Sequence, residues 1–315
     1  MKYDNLKIVF MGTPQFGAVV LKRLAETDFK PSLVLTAPDK PIGRKQIMTP
    51  SEVKIEAERN KIPVLQPEQL KNALKDLREL APDLIIVAAY GYILPKEILD
   101  IPKYGCLNIH PSLLPKYRGP SPIQWAILKG EEKTGVTLMK MAEGIDSGPI
   151  ISQEETEIRD KETADQLHLR LAELGADLLI EAIPLFIQGK IKPKEQEEKE
   201  VSFSKILKRE YGQIDWKEPA KNIERKVRAF TSWPGTYSIW NEKKIKIIKV
   251  RIMNNPNNVT YPTGKVLVVP QNEIGIQCGD GNFLVVEKLQ LEGKKEIGAE
   301  DFLRGHSDFI GETLK

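Results

Sequence analysis

Two cysteines and three histidines in 315 residues are too few for a disulfide framework or a histidine-rich metal centre. Cys106 and Cys278 show no ligand spacing, and His110, His168 and His306 are scattered, so no metal is expected. Reduced thiols and a cytoplasmic protein are the expectation. Long apolar runs are lacking too. The longest, Leu84–Tyr90, is far too short to span a bilayer, so no membrane partner is expected. Met1–Lys7 enters an apolar segment at once and leaves no room for the apolar core of a signal peptide. A Gly-x-Ser-x-Gly elbow and a P-loop are both absent. The turn Gly12-Thr-Pro-Gln-Phe-Gly17 has Pro14 where a dinucleotide fingerprint needs its second glycine. It is read as a tight turn without a nucleotide.

What is there is an ordinary globular composition, 41% hydrophobic and 29% charged, at a length that suits about two domains. Apolar runs and helical periodicity alternate. Strands are expected at Leu6–Gly12, Ser32–Ala37, Pro63–Leu65, Asp83–Tyr90, Tyr104–His110, Gly135–Met141 and Pro149–Ile158. Helices are expected at Gln15–Glu26, 52–60 behind a Ser51 cap, Glu68–Leu80, Ser121–Lys129 and Ala164–Gln188. That order predicts one doubly wound α/β domain over residues 1–189, with a mostly parallel, Rossmann-like sheet. Pro38–Pro50 is a loop about twice the usual length, and long loops are often functional.

Residues 190–204 are polar and charged and read as a linker. Residues 205–315 open with a basic helix, Pro219–Phe230. Short strands follow at Thr236–Trp240, Lys244–Met253, Lys265–Pro270, Gly275–Gly279 and Phe283–Leu291, then a helical turn at Ala299–Gly305. Turns at Asn257-Asn258 and Gly279–Gly281 separate strands, and the spacing predicts a small OB-like β-barrel. The net charge of +3 hides an asymmetry: residues 205–250 carry 12 basic against 5 acidic side chains, while residues 1–189 carry 24 against 26. Such a block suits an anionic partner, nucleic acid included, or a merely solvated surface.

The candidate chemistry sits in Cys106-Leu-Asn-Ile-His-Pro-Ser-Leu-Leu-Pro-Lys-Tyr-Arg-Gly-Pro120. Asn108 and His110 are two apart in a strand and therefore share a face. Pro111 ends the strand, which puts both at the carboxyl edge of the sheet, where open α/β proteins bind ligands. A carboxamide can donate to an oxyanion, and an imidazole can move a proton near neutral pH. Asp146, in the turn Glu143-Gly-Ile-Asp-Ser-Gly-Pro149, is the candidate to orient the imidazole. The residues alone also allow a structural histidine and an aspartate that bonds only its own turn.

Asn108-Ile-His-Pro-Ser-Leu-Leu-Pro-Lys-Tyr-Arg-Gly-Pro120, with Gly135-Val-Thr137 and Gly144-Ile-Asp-Ser-Gly-Pro149, resembles the signature of folate-dependent formyltransferases. The likeness extends through Phe10–Phe16, Ala88–Pro95, Ile214-Asp-Trp216, Arg228-Ala-Phe230, Trp233-Pro234 and Phe302–Gly305, and so over essentially the whole chain. It points to the branch whose acceptor is methionine esterified to initiator tRNA.

The resemblance implies transfer of a formyl group from 10-formyltetrahydrofolate to the α-amine of that methionine. It implies catalytic roles for Asn108, His110 and Asp146. It implies a folate pocket walled by Ser112, Leu113, Leu114 and Pro115, with Tyr90 and Ile93 on another side. It places Arg44, within Gly43-Arg-Lys-Gln-Ile-Met48, at the acceptor end of the tRNA. This loop lacks the usual glycine and basic pair after the arginine. Lys205, Lys208, Arg228 and Lys244 are the candidate phosphate contacts in the basic block. The chain is expected to act as a monomer. Formylation of a small amine, such as an amino sugar nucleotide or a purine precursor, would use the same core motif. A non-catalytic RNA-binding protein would have no need to keep Asn108, His110 and Asp146 together.

Overall fold

The computed structural model describes residues 6–43, 45–255 and 259–315. Arg44 and the Asn257-Asn258 turn lie outside the described residues. The chain divides into two compact units. The first holds the chain up to Pro122, then Lys133–Glu157 and Gln166–Ser204; the second holds Ile123–Glu132, Ile158–Asp165 and Lys205–Lys315.

In the first unit, strands β1 (Ile8–Gly12), β2 (Leu33–Leu35), β3 (Lys40–Ile42), β4 (Ile47–Thr49), β5 (Val64–Leu65), β6 (Leu84–Ala88), β7 (Cys106–His110), β8 (Lys133–Lys140) and β9 (Ile150–Glu157) follow in chain order. Seven of them form one sheet in the order β5-β2-β1-β6-β7-β8-β9. The first five run parallel, and β8 and β9 are antiparallel additions at one side. β1 and β6 are buried throughout, as their unbroken apolar sequences require of strands covered on both faces. Chain order reverses between β1 and β6, so the carboxyl ends of these strands frame the crevice that this topology offers a ligand.

The helices up to residue 187 are α1 (Gln15–Ala25), α2 (Glu52–Arg59), α3 (Leu74–Leu80), α4 (Lys96–Leu99), α5 (Pro122–Lys129) and α6 (Ala164–Ile187), of which α5 belongs to the second unit from Ile123 on. Ser51 caps α2, its hydroxyl accepting from the Lys54 N–H at 3.0 Å. A Cβ on Gly12 or on Gly17 would stand 2.8 Å from the Ala88 carbonyl oxygen. These glycines let the β1–α1 turn close onto the end of β6. The long loop is not irregular throughout: β3 and β4 pair as an antiparallel hairpin, with Ile42, Ile47 and Met48 exposed. Its short strands and exposed apolar residues gave no periodic signal.

In the second unit, α7 (Ala220–Ala229) covers a six-stranded antiparallel sheet. Its strands are β10 (Thr236–Trp240), β11 (Lys243–Met253), β12 (Val266–Val269), β13 (Glu273–Gln277), β14 (Phe283–Leu291) and β15 (Ile297–Gly298), followed by α8 (Ala299–Gly305). The order is β10-β11-β14-β13-β12, with β15 on β14. The C-terminal segment joins its two outer strands. Leu314 N–H donates to the Gly264 carbonyl at 3.0 Å, Val266 N–H to Glu312 at 2.9 Å, and Ile239 N–H to Lys315 at 2.9 Å. This removes the open edges that an antiparallel sheet otherwise presents. Ile223 and Val227 of α7 join Trp240, Ile245, Leu284 and Phe302 in one buried core. No helix among the described residues is long and apolar enough to cross a membrane.

Candidate active site

β7 positions the site by simple alternation. Ile109, between Asn108 and His110, faces α6: a Cβ on Gly175 would lie 2.6 Å from an Ile109 methyl carbon. Asn108 and His110 must then point to the opposite face of the sheet. Asn108 pairs across the ladder with Met139, and His110 with Thr137. Both are nearly enclosed, at 9% and 4% exposure. The His110 Nε2 donates to the Tyr117 carbonyl at 3.0 Å, since a carbonyl can only accept. Its Nδ1 faces the Asp146 carboxylate at 3.5 Å.

Asp146 arrives from the turn between β8 and β9. Its backbone is left-handed, at φ 48°, beside Gly144 at φ 110°. Its carboxylate also accepts from the Gly119 N–H at 2.8 Å. That bond ties the turn to the loop after β7. The Asn108 carboxamide has no hydrogen-bond partner among the described residues. Its amide atoms are not sealed from solvent, so the group is open to a ligand.

Ser112, Leu113, Leu114 and Pro115 form the loop beside this pair, with a cis peptide bond before Pro115. Thr137, part of the Gly135-Val-Thr137 motif but given no role there, holds that loop in place. Its hydroxyl donates to the Ser112 carbonyl at 2.6 Å and accepts from the Leu114 N–H at 3.0 Å. Gln153 adds donation to the Leu114 carbonyl at 2.8 Å and to Thr137 Oγ1 at 2.9 Å. The Ser112 hydroxyl is turned inward and donates to the Lys116 carbonyl at 2.7 Å. Tyr90 is buried in the core with Val87, Leu94 and Ile98, and burial pushes its phenol up to about 12. Its carbonyl accepts from the Thr13 hydroxyl at 3.0 Å, across the crevice between β1 and β6. Ile93 is 86% exposed.

The segment expected as a linker is laid against this site from Lys194 to Ser204. Lys194 pairs with Ile150, and Phe203 with Arg118. Arg118, buried to 4% exposure, donates from Nε to the Gln196 side-chain oxygen at 2.9 Å and from a terminal nitrogen to Glu198 at 3.1 Å. Gln196 in turn donates to the carbonyls of Asp146 and Gly148, each at 2.8 Å. A polar stretch without periodicity carried no signal of this.

The basic residues of the second unit fall into two groups. Lys205 is exposed, while its carbonyl accepts from the Trp125 indole at 3.0 Å. Lys208 stands 4.0 Å from Glu210 at the surface, and the Lys244 ammonium sits over the Tyr237 ring, 4.5 Å from its centroid. Arg228 is different. It donates to Glu224 at 2.6 Å and to the Glu162 carbonyl at 3.0 Å, with little of its side chain exposed. Its guanidinium is already committed within the protein, which removes it from the free phosphate contacts. The reason is its place on α7, one turn after Glu224. Arg44 lies outside the described residues. Among those described, no cluster of three or more His, Cys, Asp or Glu could hold a metal ion.

Comparison with known proteins covers both units. A family model described as formyl transferase matches residues 6–183, and one described as formyl transferase, C-terminal domain, matches residues 206–307. The chain is 43% identical over 304 residues to the methionyl-tRNA formyltransferase of Citrifermentans bemidjiense, covering 96% of this chain and 94% of the relative. It is 43% identical over 302 residues to that of Halalkalibacterium halodurans, covering 95% of each. Among solved structures, HypX from Aquifex aeolicus in complex with tetrahydrofolic acid shares the fold at 21% identity and a TM-score of 0.64. The match covers 96% of this chain and 47% of HypX, so the chain spans about half its length. An N-formyltransferase from Helicobacter canadensis, in complex with folinic acid and dTDP-3-aminofucose, matches at 23% identity and a TM-score of 0.66, over 89% of this chain and 98% of that one.

Proposed function

The chain belongs to the formyl transferase family, and we propose that it moves the formyl group of 10-formyltetrahydrofolate onto the α-amine of methionine carried by initiator tRNA. The observation that carries this reading is end-to-end identity, across both units, with relatives named for that reaction. We further propose that the protein works as a cytoplasmic monomer.

The chemistry asks little of a nucleophilic side chain, because a neutral amine attacks a formyl carbon directly. Attack turns the formyl oxygen into an oxyanion. Asn108, whose carboxamide is otherwise unpartnered among the described residues, is placed to donate to it. Asp146 holds the His110 ring at Nδ1, and Nε2 exchanges the Tyr117 carbonyl for the substrate to manage the proton that leaves the amine and the one that departing N10 requires. The loop Ser112–Pro115, braced by Thr137, walls the folate with Ile93 opposite. Tyr90 supports that wall from the core. Arg44 meets the acceptor end, and Lys205, Lys208 and Lys244 meet phosphates.

Formylation of an amino sugar nucleotide by the same core is the rival. The 43% identity with relatives named for the tRNA reaction and the basic surface of the second unit favour the tRNA. An assay with 10-formyltetrahydrofolate and two acceptors tests this. Transfer to methionyl initiator tRNA is expected; transfer to the sugar amine alone would overturn the reading.

A further inference from the structure

Gln196 lies in a stretch whose sequence is lysine, glutamate and little else, yet it is 8% exposed. Its partners fix the orientation of its amide. Two of them, the Asp146 and Gly148 carbonyls, can only accept, and Arg118 can only donate. Its NH2 group therefore faces the turn and its oxygen faces Arg118. The turn it grips holds Asp146 in a left-handed conformation that a residue with a Cβ adopts only at a cost. Support at the carbonyl of that same residue keeps the carboxylate 3.5 Å from His110 Nδ1.

The neighbouring backbone extends the grip. Arg118 N–H donates to the Ser202 carbonyl at 2.9 Å, Ser204 N–H to the Arg118 carbonyl at 2.7 Å, and Tyr117 N–H to the Ser202 hydroxyl at 2.9 Å. Tyr117 is the residue whose carbonyl holds the other nitrogen of His110. One segment, 194–204, therefore grips the backbone of both residues whose oxygens orient the imidazole.

We propose that Gln196 is a positioning residue for formyl transfer, holding the 144–148 turn so that Asp146 meets His110. The inference rests on the formyl-transfer reading. Gln196 touches no substrate: its effect passes through the Asp146 and Gly148 carbonyls and through Arg118.

The test uses the full chain with Gln196→Leu and Gln196→Glu. Leucine removes every hydrogen bond at similar size. Glutamate keeps an acceptor for Arg118 and turns an oxygen toward two carbonyls. Both variants lower kcat by about 10–100-fold, the scale of a small misplacement of a catalytic group, and leave both KM values within about twofold. Both also shift the imidazole 15N resonances of His110 in histidine-labelled protein. A kcat within about twofold of wild type in the two folded variants, or unmoved His110 resonances, overturns the proposal. So does loss of the folded spectrum in both, which would make Gln196 a fold determinant only. If Gln196→Leu alone unfolds, Gln196→Glu decides. Should wild-type protein not formylate methionyl-tRNA, the reaction reading falls, and the His110 resonances alone judge the contact, moved signals upholding it.

Discussion

The Asp146 carboxylate is bonded to the Gly119 backbone at 2.8 Å, closer than it stands to the imidazole it faces. It thus joins two loops as well as two side chains. Asp146→Asn keeps an acceptor for Gly119 and removes the charge beside His110. The expected outcome is a folded protein with kcat lowered about 10²–10⁴-fold, the usual worth of acid–base assistance. Single-turnover formylation measures it, and a rate near wild type would take Asp146 out of the chemistry.

Asn108 makes no hydrogen bond that its removal would break among the described residues. Asn108→Ala should therefore leave stability within about 1 kcal/mol, while costing about 3–4 kcal/mol of transition-state stabilisation. Steady-state kinetics alongside urea unfolding separates the two. Loss of stability without loss of rate would refute the oxyanion role.

Thr137 serves three partners from one buried hydroxyl. Thr137→Val keeps the shape and strands the Ser112 carbonyl and the Leu114 N–H. The expected cost is about 1–3 kcal/mol for each buried group left unpaired. Folate binding should weaken with it, because the braced loop is the proposed wall. Tetrahydrofolate titration by calorimetry tests that, and unchanged affinity would separate the loop from the pocket.

The basic surface divides by what each cation already holds. Lys205→Ala and Lys244→Ala should each weaken tRNA binding and lower the salt dependence by about one unit of slope. Arg228→Ala should instead destabilise the second unit, since Glu224 and the Glu162 carbonyl lose their partner. Filter binding across a salt series distinguishes them; a slope change only for Arg228→Ala would invert the assignment.

Burial pushes both thiols up to about 12, from an ordinary value of 9.0. The folded chain keeps these protons while the unfolded chain releases them from about pH 9. Their contribution is thus intact below pH 9 and stability falls as pH rises from there toward 12. Native Cys106 and Cys278 should resist thiol reagents at pH 8 and react on unfolding. Prompt labelling of the native protein would contradict their burial.

Local order was legible in the residues because it is periodic. The unbroken apolar run of β6 required a strand covered on both sides, and the alternation of β7 put Asn108 and His110 on one face. Pro111 ended that strand at the edge where ligands bind, and the loop motif identified the family. None of this depends on distant contacts. The partners of those side chains do depend on them. Tyr117 and Gly119 lie close in sequence to His110, yet only the folded loop turns their backbone groups toward it and Asp146. Gln196 sits 50 residues from the carbonyl it holds, in a stretch that reads as solvated charge. Arg228 reads like any surface cation until Glu162 is brought beneath it. The closure of the second sheet by Leu314 and Lys315 is of the same kind. A hydrogen bond between polar groups leaves no period in the chain and is decided only by the packing that brings donor and acceptor together.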